Sequence, residues 1–147
     1  MSNNNGILVF YDDSCRHCRQ EMIRFKQYDT QGLLTLVDCS DDSFDEFLGI
    51  PQQEMMTRNH VYTAEGQWLK GADAVYFLFE YTGFKSMATL WRQPWMRSAY
   101  PWLAKNRHIL AKLGMAKIMN WLMYFPVRKL EKKQQGCQGG QCDISGK

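Results

Sequence analysis

Two cysteines three positions apart, Cys15 and Cys18, carry the clearest chemistry in this chain. They stand in Tyr11-Asp12-Asp13-Ser14-Cys15-Arg16-His17-Cys18, directly after the apolar run Ile7-Leu8-Val9-Phe10 and before a segment of helical periodicity. At this spacing two thiols can close into one small disulfide ring, and a thiolate is the species that attacks disulfides. Asp13 or Ser14 is suited to cap the helix, which puts Cys15 in its first turn. There, unpaired N–H groups and the positive end of the helix dipole favour an anion. Arg16, and His17 when protonated, add cationic character, whereas the carboxylates Asp12 and Asp13 oppose it. The net expectation is a lowered thiol pKa. The same spacing also suits half of a zinc site or an inert buried pair; the strand before it and the capped helix after it favour redox chemistry.

The elements that must hold this pair follow from periodicity. Residues 7–10 read as a short buried strand. Residues 15 to about 28 read as a helix on which Cys18, Met22, Ile23 and Phe25 recur at helical spacing, with Arg19, Arg24 and Lys26 on other faces. Residues 29–32 make a turn and residues 33–37 a second strand, apolar enough to be covered on both faces. Strand, helix and strand in this order form a βαβ unit with parallel strands. Both strands then end on one edge of the sheet, which brings Cys39 to the dithiol's side; a small core residue is its plainer role.

Residues 41–48 are expected to form a short helix or turn, and residues 52–56 a helix. Residues 60–63 and 67–70 should pair as a hairpin turning at Gly66, and Ala72–Tyr81 should be an apolar helix stopped by Gly83. Beyond Phe84 the pattern changes. Residues 89–100 are aromatic and broken by Pro94 and Pro101, and residues 102–113 and 115–125 read as two helices separated by Gly114. Met115, Ile118, Met119 and Leu122 fall on one stripe, suited to core packing or to a partner helix or lipid.

With 147 residues, 45% of them apolar, the chain can build a core of its own. It divides into a core over residues 1–83, a basic, tryptophan-rich helical extension over 84–133, and a flexible polar tail over 134–147. Residues 1–83 hold six Lys and Arg against thirteen Asp and Glu, a balance of −7, whereas residues 84–147 hold twelve against two, a balance of +10. Trp91, Trp95, Trp102 and Trp121 also lie in the basic part, so a solvated basic face, an acidic partner or a weak contact with an anionic membrane surface would each account for it. No run reaches the ~18–20 apolar residues of a bilayer span. The polar start does not resemble a secretory signal, which favours the cytoplasm. There, an odd set of five cysteines suits catalytic or metal-binding thiols better than a disulfide framework. No phosphate-cradling glycine loop, Ser/His/Asp arrangement or nucleic-acid motif stands out, so neither a dissociable cofactor nor a nucleic-acid partner is expected.

A second pair, Cys137 and Cys142, lies among Gly and Gln with no apolar neighbour to explain it by packing. Extended, the arm over residues 134–142 spans up to ~30 Å, enough to bring this pair to Cys15 and Cys18 as a redox relay. Alternatively, the four thiols could close one zinc site and make the chain a zinc-stabilised binding module.

The stretch Tyr11–Cys18 resembles the Tyr-Asp-Gly-x-Cys-x-x-Cys signature of the DCC family of thiol–disulfide oxidoreductases. The likeness continues through His60-Val61, Gly66, Gly71-Ala72-Asp73-Ala74-Val75 and Tyr100-Pro101-Trp102-Leu103-Ala104-Lys105-Asn106-Arg107. It implies an α/β, thioredoxin-like fold with an added C-terminal helical extension. It also implies dithiol exchange with a protein or small-molecule thiol or disulfide, Cys15 attacking, Cys18 resolving and Asp12 in the place of the family's Asp. Asp13 stands where the family usually has Gly, which makes the approach to Cys15 more acidic. Thioredoxin carries a cis-proline before its third strand, and residues 56–60 here contain no proline. In that topology Arg58 to His60 face the thiols, so His60 either stabilises the thiolate or moves protons, or else merely begins a strand. His17 beside Cys18 resembles the Cys-x-His-Cys of strongly oxidising relatives and suggests a less reducing potential than thioredoxin's.

Overall fold

The computed structural model describes residues 6–44 and 46–135. The apolar run forms β1 (Ile7–Tyr11), and the chain returns through α1 (Arg16–Gln27) to β2 (Leu34–Asp38), which pairs with β1 in parallel from Ile7 opposite Leu34 to Tyr11 opposite Asp38. This is the βαβ unit that the periodicity predicts. β2 is an edge strand with Thr35 exposed, so it is not covered on both faces.

Of the helix or turn expected over residues 41–48, the first part is a turn, which leads into a small hairpin of β3 (Glu46–Phe47) and β4 (Ile50–Pro51). Leu48 and Gly49 at its tip both have positive φ, 49° and 80°, the twist that suits a two-residue hairpin turn. Phe47 and Ile50 pack under the sheet, which an isolated acidic helix could not have supplied. Next come α2 (Gln52–Met55), then β5 (His60–Tyr62) and β6 (Trp68–Lys70), antiparallel to each other, with β5 antiparallel to β1. The result is a mixed four-stranded sheet in the order β2-β1-β5-β6.

Strand alternation sends side chains to two faces. Ile7, Val9 and Val61 point towards Met22 and Phe25 of α1 and towards α3 (Ala72–Tyr81), whose Leu78 and Phe79 complete the main core. Phe25 and Phe79 meet edge to face at 4.9 Å. Phe10, Cys39 and Met55 occupy the other face under Trp68 and Phe47.

After Gly83 the helices α4 (Lys85–Trp91), α5 (Pro94–Lys112) and α6 (Met115–Gln135) lie against the α1 and α3 side. The expected break at Pro101 is absent and the helix expected over 115–125 runs on to Gln135, so that Pro101 and Pro126 lie inside α5 and α6. Each removes one helical N–H bond, a cost of about 3 kcal/mol in a helix interior. Tertiary contacts on both sides offset it. Around Pro101, Met96 is buried and the Tyr100 ring stands 6.0 Å from that of Trp91, while its hydroxyl accepts the Asn59 N–H at 3.1 Å. Around Pro126, Met123 is buried and Val127 packs on the core. Among the described residues no helix is long and apolar enough to cross a membrane.

Candidate active site

The turn from β1 into α1 is built by Asp12. Its buried carboxylate accepts the Ser14 N–H at 3.0 Å and the Ser14 hydroxyl through Oδ1, which sets the chain's entry into the helix. Neither Asp13 nor Ser14 is the cap. Cys15 itself caps α1 in an extended conformation, its Sγ accepting the backbone N–H of Cys18 at 3.4 Å. Ser14 lies one residue before the cap, its N–H and hydroxyl both donating to Asp12, while Asp13 accepts the Tyr11 hydroxyl at 3.0 Å. Burial and that bond to a carboxylate push the Tyr11 phenol up to about 12.

The dithiol is reduced, and the Cys18 thiol donates to Cys15 Sγ at 2.8 Å. That hydrogen bond is the chief cause holding the Cys15 pKa down at about 6. Burial opposes it, and the Cys18 N–H and the charges of His108 and Arg107 reinforce it. Cys18 moves the other way, held protonated by the same bond, by burial and by the thiolate beside it. The pair thus divides into one thiolate and one thiol, the arrangement exchange chemistry requires. Cys15 has no accessible surface, whereas Cys18 is partly exposed and lines a cavity of about 260 Å³.

The cations near Cys15 are not those nearest in sequence. Arg16 is exposed at the start of α1, and His17 is half-buried, pushed towards its neutral form by burial and by Arg24. Arg107 and His108 come from α5 instead. Arg107 Nη2 pairs with Asp12 Oδ2 at 2.8 Å and donates to the Met56 carbonyl at 2.5 Å, and His108 Nε2 lies 3.7 Å from the same carboxylate oxygen. Asp12 therefore serves both the turn and the clamp that fastens α5 over it.

His60 is not brought to the thiols. It pairs with Phe10, so it points to the sheet face away from α1. There Nδ1 bonds to the Arg58 carbonyl at 2.9 Å and the ring meets Trp68 edge to face at 6.1 Å. Burial lowers its pKa, and Nε2 has no partner. Arg58 and Asn59, just before it, do line the cavity. Cys39 is fully buried beside Phe10 and Met55, its thiol pushed up to about 12 by burial and Asp38, as suits a core residue. Cys137 and Cys142 lie outside the described residues, and with them half of the four-thiolate zinc arrangement. Among the described residues no three His, Cys, Asp or Glu side chains are grouped as a metal ion needs.

A family model described as DCC1-like thiol-disulfide oxidoreductase matches residues 9–113. The chain belongs to this family. No curated protein and no solved structure matches it. The DCC1-like span contains Cys15, Cys18 and Asp12 and also Arg107 and His108. Sequence reasoning left the last two without a role, although Arg107 ends the last stretch of family likeness. A cluster of likeness so far from the dithiol was the available signal that α5 belongs to the site.

Proposed function

We propose that this chain is a thioredoxin-like thiol–disulfide oxidoreductase in which Cys15 attacks and Cys18 resolves. The order β1-α1-β2 with parallel pairing, followed by the β5-β6 hairpin and α3, supports the fold. The observation that carries the function is the 2.8 Å bond from the Cys18 thiol to Cys15 Sγ at the amino terminus of α1. It leaves the sulfur at the helix end as the better anion.

In the reducing direction the Cys15 thiolate attacks one sulfur of a substrate disulfide. A mixed disulfide forms, and the other substrate sulfur leaves as a thiolate that takes up a proton. Cys18 then loses its proton to water and attacks Cys15 Sγ, releasing the second substrate thiol. The protein is left with a Cys15–Cys18 disulfide, two electrons having passed to the substrate. Asp12 and Arg107 act as positioning residues through their ion pair. In this direction the tail pair Cys137 and Cys142, starting as a dithiol, re-reduces the helix pair by the same exchange and is itself left as a disulfide.

Single serine variants test this reading. Cys18→Ser should accumulate a mixed disulfide at Cys15, visible by mass, and Cys15→Ser should lose exchange activity with an unchanged circular dichroism spectrum. Activity surviving in folded Cys15→Ser would end the proposal. A Cys137→Ser/Cys142→Ser double variant that turns over at the full rate would remove the relay alone.

A further inference from the structure

The cavity that Cys18 lines runs between α1 and the helical extension. On α1 it is bounded by Cys18, Met22 and Phe25, at positions i, i+4 and i+7, so it follows the helix for about 10 Å. Its volume of about 260 Å³ falls near the lower end of small-molecule sites, roughly 300–1,000 Å³. A helix or strand does not fit in that space. Seven of the chain's nine methionines line it. Thioether side chains are apolar and change shape easily, so such a wall accepts apolar groups of differing outline. Asp12 and Arg107, paired with each other beside the thiols, are among its few charged groups.

We propose that this cavity is the substrate site, and that the substrate is a low-molecular-weight thiol or disulfide carrying an apolar chain or ring. The inference rests on the exchange reading above and deepens it. The apolar group lies along Met22 and Phe25 and its sulfur against Cys18. The Cys15 sulfur, which has no accessible surface, lies 2.8 Å from that of Cys18, so a sulfur seated there meets Cys15 when the Cys18 side chain turns aside. Exchange then proceeds as already written, the apolar thiol being the one held as the mixed disulfide and released last.

Alkyl 2-pyridyl disulfides from methyl to hexyl test this, followed by release of pyridine-2-thione and normalised to their rates with mercaptoethanol. The rate constant should rise by about fourfold for each methylene that finds room, and level off once the cavity is full. Met119→Trp narrows the cavity from α6 and should flatten the series, lowering the hexyl rate far more than the methyl rate. Leu122→Trp, at a more exposed wall position, serves if the first variant does not fold. A flat series in the wild-type protein, or an unaltered slope in the folded variants, overturns the inference. Failure of even the methyl probe to exceed Cys15→Ser would instead sink the exchange reading. Rapid reduction of a protein disulfide alongside a flat alkyl series would give the cavity to a protein side chain.

A separate observation points to a lipid surface. Trp102 and Ile109 on α5, Leu113 at its C-cap, and Ile118, Trp121 and Phe125 on α6 are each more than half exposed. They alternate with the exposed cations Lys105, Lys112, Lys117, Arg128 and Lys129, and from residue 84 onward the only acids are Glu131 and Asp143. We infer that these helices lie on an anionic bilayer, aromatic and aliphatic groups in the headgroup region and lysines against the charge. The full chain should co-sediment with phosphatidylcholine vesicles containing phosphatidylglycerol, less with phosphatidylcholine alone, and lose binding in high salt. Trp121→Ser with Phe125→Ser should weaken it at least tenfold. Absence of binding, or a stable dimer in sedimentation whose formation needs Trp121 and Phe125, overturns this reading.

Discussion

Arg107 reaches Asp12 at 2.8 Å across 95 positions of sequence, and this ion pair joins the helical extension to the turn that presents the dithiol. The Asp12 side chain is 4% exposed and that of Arg107 17%, so solvent screens the pair little. The same guanidinium stabilises the Cys15 thiolate and helps hold α5 against it.

Arg107→Met separates these two effects. Removing the cation raises the pH at which Cys15 becomes half alkylated, while loosening α5 raises the limiting alkylation rate at high pH. Stripping one partner from a buried pair should cost about 3 kcal/mol in denaturant unfolding. The reduced form loses thiolate stabilisation, so the reduction potential becomes more negative, by roughly 30 mV for each pKa unit regained. An unchanged midpoint would show that Arg107 has no electrostatic hold on Cys15.

Cys18→Ala removes the donor that contributes most to the acidity of Cys15. In a Cys137→Ser/Cys142→Ser background, iodoacetamide titration should place Cys15 near its value of about 6 when Cys18 is present. Without Cys18 the midpoint should lie higher, towards the ordinary value of about 8.5. It should stop short of that value, because the residue 18 N–H and the α5 cations remain. A midpoint that does not move would mean that the sulfur–sulfur hydrogen bond is not what sets the thiolate.

Acid should weaken the fold through His60. Its folded pKa lies below the ordinary value because burial disfavours the imidazolium, so the unfolded chain binds the extra proton first. Its contribution is fully present above about pH 6.5 and is lost as pH falls through the depressed folded value. His60→Phe cannot take up that proton and should flatten part of the slope of unfolding free energy below pH 6.5. His17, also lowered, supplies a remaining slope of the same sign. An identical slope in the variant would remove His60 from the account.

Gly71 marks where the core meets α5. Its φ is +60°, and a Cβ placed there would stand 3.1 Å from the Tyr100 ring. Gly71→Ala should destabilise by roughly 1–3 kcal/mol through backbone strain alone, with displacement of Tyr100 adding to it. Pairing it with Tyr100→Ala, which removes the ring carbons the new Cβ would meet, in a double-mutant cycle should reveal coupling. Additive effects would mean that Tyr100 does not feel the substitution.

Local signals made much of this protein legible from its residues. The apolar run, the helical spacing after Cys15 and the turn at residues 29–32 specify a parallel βαβ unit, because side-chain period and turn chemistry act over a few residues. The Cys-x-x-Cys spacing and its place at a helix start likewise single out the candidate thiols. What surrounds the sulfurs depends on distant parts of the chain. Arg16 and His17 are adjacent to the dithiol, yet one faces solvent and the other is driven towards neutrality by burial and Arg24, so proximity in sequence did not become charge at the thiol. That charge comes from Arg107, and from His108 when protonated, on a helix that continues through Pro101 because packing outweighs the lost hydrogen bond. His60 turned away because register, set by its pairing with Phe10, decides which face a strand residue meets. The cavity belongs to no single segment, since its walls exist only once the extension closes against α1 and α3. Sequence alone determined the candidate thiol pair and the unit that carries it; tertiary structure decided its electrostatics, its cover and the space beside it, because these arise where elements far apart in the chain come into contact.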